Sequence, residues 1–171
     1  MTKEDKQEKL EKLLEAYTSY FDITRNVTVD DVTFAALATY HSRSGKYILV
    51  KSAKIWSIEM NEYVYFSLVD RLDVRLLSTL YENARNAGLK QIKPHNEHMY
   101  SHVSLVILAD HIDEEAKKAL RRLRFRKTFR LSLHGWMEFR IAAICFSTGE
   151  IISNPAGKNV RETLQRNLQP K

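Results

Sequence analysis

The sequence has little cysteine, glycine or proline, and it lacks any apolar run of the ~20 residues that cross a membrane. Its 171 residues include one cysteine, five glycines and three prolines. One cysteine excludes a disulfide framework within the chain and any metal site built on cysteine pairs, and it favours a reducing compartment. Scarce Gly and Pro predict well-filled secondary structure with short connections.

Several familiar signatures are also missing. The chain has no GxxxxGK[ST] phosphate loop, no GxGxxG dinucleotide loop and no GxSxG nucleophile elbow. The N-terminal stretch MTKEDKQEKL is charged from its third residue, which excludes a signal peptide. We therefore expect a cytoplasmic protein that does not associate with membranes, and the motifs leave open whether it is an enzyme.

The composition that remains is that of a folded protein. Hydrophobic residues make up 44% of the chain and charged residues 28%. This length suits one domain, 1–171, with a sizeable core. The formal net charge of +6 makes acidic partners, such as nucleic acid or a phosphorylated small molecule, worth testing.

Hydrophobic periodicity predicts elements in the order α-βββ-α-β-α-ββ(β)-α. Turns at 42–45 and 60–61 join the first three strands into an antiparallel meander. We expect a single α+β domain with a mostly antiparallel sheet and helices packed on it. The predicted helices cover about 3–22, 73–87, a short segment after Asp113 and about 158–168, and the predicted strands cover 32–41, 46–56, 62–69, 103–109, about 123–134 and 136–147.

A row of arginines gives the clearest pattern. Between positions 122 and 134, basic and polar residues at even positions alternate with largely apolar residues at odd positions. On a strand, this alternation places the arginines on one face. Because arginine binds phosphate through two parallel hydrogen bonds, the row favours anion binding. The proposed contacts are Arg124, Arg126, Arg130 and Arg140, and the alternative is a solvated or edge-protecting face.

Three of the six histidines lie within IKPHNEHMYSH, residues 92–102. A metal-assisted enzyme that binds Zn²⁺ through His95, Glu97, His98 and His102 is one interpretation. The other is that these side chains are solvated or hydrogen-bonded within the structure. If a strand begins near Met99, then Tyr100, His102 and Ser104 point to the same side.

Trp136 shares its strand parity with charged residues rather than with the core. Either Gly135 is a turn or bulge that redirects the chain, or this face is a groove that contains His134, Trp136 and Glu138 together with Arg130 and Arg140. A third functional class is a homo-oligomeric scaffold without chemistry. It rests on the aromatics Trp56, Tyr63, Tyr65, Phe66 and Trp136, which could exceed what one sheet covers.

Two resemblances bear on function. The α-βββ-α-β order is similar to the core of the PD-(D/E)xK nucleases, but the triplets Glu4-Asp5-Lys6 and Glu115-Ala116-Lys117 fall on predicted helices, so no nuclease site of that kind is expected. The segments PHNEHMYSHVSLVILAD (94–110) and FRKTFRLSLHGWMEFRIAA (125–143) resemble a family of short bacterial proteins catalogued as a domain of unknown function. That resemblance implies one compact domain and supplies no activity.

Overall fold

The computed structural model describes residues 1–47 and 56–169. This described part forms four α-helices and seven strands. The helices are α1 Lys3–Glu15, α2 Val74–Gln91, α3 Glu114–Arg122 and α4 Lys158–Leu168. The strands are β1 Asp22–Val29, β2 Val32–Tyr47, β3 Trp56–Leu72, β4 His98–Ile112, β5 Arg126–Thr128, β6 Trp136–Cys145 and β7 Glu150–Ser153.

The strands form one sheet in the order β1-β2-β3-β4-β6-β5, and β7 also pairs with β6. β1, β2 and β3 make an antiparallel meander, whereas β4 runs parallel to both β3 and β6. β5 and β7 are antiparallel to β6. Four of the six pairings in the described chain are therefore antiparallel, and the predicted single α+β domain with a mostly antiparallel sheet is confirmed.

Helices cover the sheet on both sides. α2 and α3 enclose one apolar cluster with alternate residues of the strands, and α1 and α4 enclose a second cluster on the opposite side. On β4, Leu105 and Ile107 belong to the first cluster, while Val106 and Leu108 belong to the second. This arrangement confirms the prediction that the apolar run 103–109 is a central strand covered on both sides.

The strands of the meander lie elsewhere than predicted. β1 was missed, since no element was predicted between residues 22 and 32, and the first helix, predicted to reach 22, ends at Glu15. The turn predicted at 42–45 is wrong, since Ser42, Arg43 and Ser44 pair with β3 inside β2. The turn predicted at 60–61 is likewise inside β3. The predicted strand 46–56 falls mostly on residues 48–55, which lie outside the described residues.

The helix boundaries follow the expected capping chemistry in most places. Thr2 and Asp5 form the capping box of α1, Asp73 caps α2, and α4 covers the predicted 158–168. Gly88 does not end α2, because the helix continues to Gln91. A Cβ at Gly88 would lie 2.4 Å from Val103 Cγ2, so this glycine permits close packing of α2 on β4.

The expected surplus of exposed aromatic residues is absent from the described part of β3. Tyr63, Tyr65 and Phe66 are each at most 2% exposed, because both sides of the sheet are covered. The premise of the scaffold hypothesis is therefore wrong for these three residues. None of the described helices combines the length and apolar character needed to cross a bilayer.

Candidate functional site

Polar side chains gather on the side of the sheet that carries α1 and α4. Tyr100, His102 and Ser104 alternate along β4 and point to the same side as Val106, as predicted from the sequence. Strand register brings side chains of β3 and β6 beside them. This group, called here the polar face, consists of Glu62, Tyr100, His102, Ser104, Trp136, Glu138 and Arg140.

His102 is held between a carboxylate and a guanidinium. Arg140 Nη2 donates to His102 Nε2 over 2.8 Å, and His102 Nδ1 lies 3.5 Å from Glu62 Oε1. A guanidinium has no acceptor, so Nε2 must accept and the ring proton must sit on Nδ1, facing Glu62. His102 is only 6% exposed. His102 therefore holds Arg140 through Nε2, while its buried Nδ1 makes no hydrogen bond among the described residues.

Not all hydrogen-bond donors of Arg140 have a partner. Its Nε is buried and has no hydrogen-bond partner among the described residues. The side chain lines a cavity of about 250 Å³ between the sheet, α4 and the end of α1. Other polar side chains on the wall are Glu62, Ser104, Asn159 and Thr163. Arg140 therefore brings a positively charged guanidinium to the wall of this cavity.

Trp136 is part of an aromatic stack at the other end of the polar face. The Tyr100 and Trp136 rings are stacked with centroids 5.3 Å apart and 21° between their planes. The Arg126 guanidinium lies 4.3 Å from the indole centroid. Tyr100 and Arg126 come from β4 and β5, which flank β6 on opposite sides. Trp136 and Arg126 also line a second cavity of about 600 Å³.

The structure does not assemble the predicted metal site. His98 Nδ1 donates to the His134 carbonyl over 2.7 Å, and its Nε2 accepts from Ser101 Oγ over 2.8 Å. His95 bonds to Glu59 over 2.9 Å and accepts from the Glu97 backbone N–H. His102 lies on the polar face. In the described ranges 1–47 and 56–169, no group of three or more His, Cys, Asp or Glu could hold a metal ion. The metal set His95, Glu97, His98 and His102 stays a prediction.

The predicted arginine row is wrong as a continuous strand face. The strand predicted over 123–134 shrinks to β5, residues Arg126–Thr128, because Arg130, Leu131 and Ser132 adopt left-handed backbone conformations. Arg130 is therefore in a turn. Arg124 precedes β5 and donates to the carbonyls of Arg121 and Leu123. Of the four predicted anion contacts, Arg140 belongs to the polar face, Arg126 lies over Trp136, and Arg124 lines a cavity of about 180 Å³ with Arg126 and Glu138.

Of the two alternatives for Trp136, the turn at Gly135 is confirmed, whereas the groove of His134, Trp136 and Glu138 stays a prediction. Gly135 has a φ of 75° and ends the turn, so β6 begins at Trp136. Trp136, Glu138 and Arg140 then share one side of β6, as their parity predicted. His134 lies in the turn, where its carbonyl accepts from His98. Sequence reasoning missed Glu62, Asn159 and Thr163, whose approach to Arg140 depends on long-range packing.

A polar network on the opposite side of the sheet gives a prediction about pH. The Asn61 amide, followed by His95, donates to Glu59 and lowers the pKa of that carboxyl below its ordinary value. Because the folded-state pKa is depressed, Glu59 stabilises the fold above the unfolded pKa of about 4.3, and this contribution disappears as the pH falls through the folded value. Glu59→Gln should therefore destabilise the protein at pH 7, by an amount that shrinks below about pH 4.

Urea denaturation of both proteins across this pH range measures the difference. Glu8→Gln is the matched control, because the exposed Glu8 makes no hydrogen bond or ion pair within the described residues. A Glu59→Gln effect that stayed constant down to pH 3 would contradict the assignment.

The histidine and arginine segments quoted above fall inside one family match. Residues 5–166 match the family described as Domain of unknown function (DUF8052). No curated protein and no solved structure matches the chain. The match covers nearly the whole sequence, and the chain therefore belongs to the DUF8052 family.

Proposed function

We propose that this protein binds a phosphorylated small molecule on the polar face, with the phosphate at Arg140. The observation that carries the proposal is the Arg140 guanidinium, which His102 holds through Nη2 and which belongs to a side chain that lines the 250 Å³ cavity. A phosphate offers several acceptor oxygens in the geometry that a guanidinium prefers.

The rest of the cavity wall suits such a ligand. Ser104 and Thr163 carry hydroxyls, and Asn159 lies in the first turn of α4, where the helix dipole favours negative charge. Glu62 adds a carboxylate, which repels phosphate but accepts hydrogen bonds from hydroxyl groups. A ligand with both a phosphate and sugar hydroxyls therefore fits this wall better than inorganic phosphate does.

A small molecule fits the described basic residues better than a nucleic acid strand. Binding a polymer needs a series of cations along its path. The segment that carries Arg124, Arg126 and Arg130 is a strand only over Arg126–Thr128, and Arg130 lies in a turn, so these arginines do not form a continuous row. The proposal includes a cytoplasmic location, consistent with the single, unpaired and buried Cys145.

Titration calorimetry with ribose 5-phosphate tests the proposal. The wild type should bind one equivalent with a dissociation constant below about 1 mM. Arg140→Gln keeps a donor for His102 but removes the positive charge and the paired N–H donors of the guanidinium. The affinity for ribose 5-phosphate should therefore fall about 10- to 100-fold. Arg140→Lys should recover only part of the loss, because lysine lacks the Nε donor.

Arg75→Gln is the matched control, since Arg75 is an exposed residue of α2 on the far side of the sheet. Its affinity should equal that of the wild type. Absence of binding at several millimolar ligand, or an Arg140→Gln variant that binds as well as the wild type, would refute the proposed function.

A further inference from the structure

We infer that the ligand is a nucleotide whose base stacks on Trp136 while its phosphate contacts Arg140. This inference rests on the proposed function and specifies its ligand class. It joins two features of the polar face that the phosphate site alone leaves unexplained: the aromatic stack at Trp136 and the large cavity beside it.

The two subsites are neighbours on the polar face, with His102 between them. The Arg140 guanidinium touches His102 over 2.8 Å, and the His102 and Trp136 ring centroids are 5.5 Å apart. The His102 imidazole lies between the guanidinium and the indole, so a ligand that reaches both must pass over this ring. In a nucleotide, the ribose between the phosphate and the base would occupy that position. Glu62, on the other side of His102, is available to the ribose hydroxyls.

One surface of the indole can be vacated for a base. Arg126 covers it from β5, and this side chain is exposed. An exposed cation–π contact is weak compared with the stacking of a base on an aromatic ring, so a base can displace the guanidinium. The cavity of about 600 Å³ lined by Trp136 and Arg126 provides room for the base. Tyr100 supports the indole from β4, so the stacking surface exists before the ligand arrives.

The test compares ligands that differ by one part. Titration calorimetry is carried out with inorganic phosphate, ribose 5-phosphate and adenosine 5′-monophosphate. Stacking predicts that the nucleotide binds about 5- to 100-fold more tightly than ribose 5-phosphate. Trp136→Leu should abolish this preference, so that the nucleotide binds this variant no more tightly than ribose 5-phosphate does, whereas Trp136→Phe should retain part of it. Arg126→Ala should keep the preference, because the base takes the place of that guanidinium.

The outcomes separate the two proposals. If ribose 5-phosphate binds but the nucleotide binds no more tightly, the inference fails and the proposed function stands. If no compound binds, the proposed function fails and the inference fails with it. Loss of the preference in Arg126→Ala assigns base recognition to Arg126 and overturns stacking. A single-stranded oligonucleotide that binds more tightly than the mononucleotide, with an affinity that falls steeply with salt, also overturns the inference. Circular dichroism of each variant confirms folding, and Trp136→Phe decides the question if Trp136→Leu is unfolded.

Discussion

Replacing Asn154 by alanine should lower the free energy of unfolding by about 3–5 kcal/mol. Asn154 is 1% exposed, and its side chain makes four hydrogen bonds to the backbone. Its Oδ1 accepts from Ile141 and Gly157 over 3.1 and 2.8 Å, and its Nδ2 donates to Leu123 and Phe139 over 3.2 Å each. Alanine leaves buried backbone groups of three segments without these partners, which costs about 1 kcal/mol or more for each.

Asn167→Ala is the control for an Asn-to-Ala substitution that removes no hydrogen bond between different segments. Asn167 is half-buried, and its amide donates to Thr163 within the same helix, so its loss should cost less than about 1 kcal/mol. Urea denaturation of both variants gives the comparison. If Asn154→Ala lowered the free energy of unfolding as little as the control does, the hydrogen bonds of Asn154 would not hold together β6, the start of α4 and the loop after α3.

Local patterns predicted the elements whose residues interact mainly with near neighbours along the chain. The capping groups of α1 and α2 are within three residues of the N–H groups they accept from, so both helix starts were predicted correctly. The run 103–109 is apolar without alternation because helices cover both sides of β4. The caps could be predicted because the interacting groups are close in sequence as well as in space. The apolar run could be predicted because a strand buried on both sides requires apolar residues at every position.

The predictions failed where the backbone departs from what the residue types prefer. The segment 122–134 alternates in polarity as a strand does, yet Arg130, Leu131 and Ser132 have φ values of 47°, 51° and 73°. Left-handed turns usually contain Gly, Asn or Asp, so nothing before Gly135 indicated a turn. Leu131 and Leu133 are 95% and 76% exposed, which the strand assignment would have buried.

The candidate site shows the same division between local and long-range information. Alternation placed Tyr100, His102 and Ser104 on one side of β4, and Trp136, Glu138 and Arg140 on one side of β6. The pairing of Tyr100 with Trp136 and of Glu62 with His102 depends on which strands are neighbours and in which register. Glu62 and Arg140 line the same cavity only once the sheet has formed, so no local sequence pattern could predict that they are close in space.

Substituting alanine for Gly135 should be the most damaging change next to the polar face, with an expected loss of about 3 kcal/mol or more. Two effects add. The φ of 75° is unfavourable for any residue with a Cβ, and that Cβ would lie 2.3 Å from the Met99 carbonyl oxygen and 2.6 Å from that of His98. Backbone atoms cannot rotate away as a side chain can, so the turn and the start of β4 must separate.

Gly149 shows the effect of the positive φ alone, so comparison with it gives the contribution of the close contact. Its φ of 71° is almost the same, but a Cβ there would meet no atom within 4 Å. Gly149→Ala should therefore cost only the conformational penalty of about 1–2 kcal/mol. Urea denaturation of the two variants measures the difference, which reports the contact between the 129–135 turn and the start of β4. Because that contact sets Trp136 beside Tyr100, Gly135→Ala should also weaken the stacking of the two rings, while Gly149→Ala leaves it intact. Equal destabilisation by the two substitutions would mean that the turn does not pack against β4 as described.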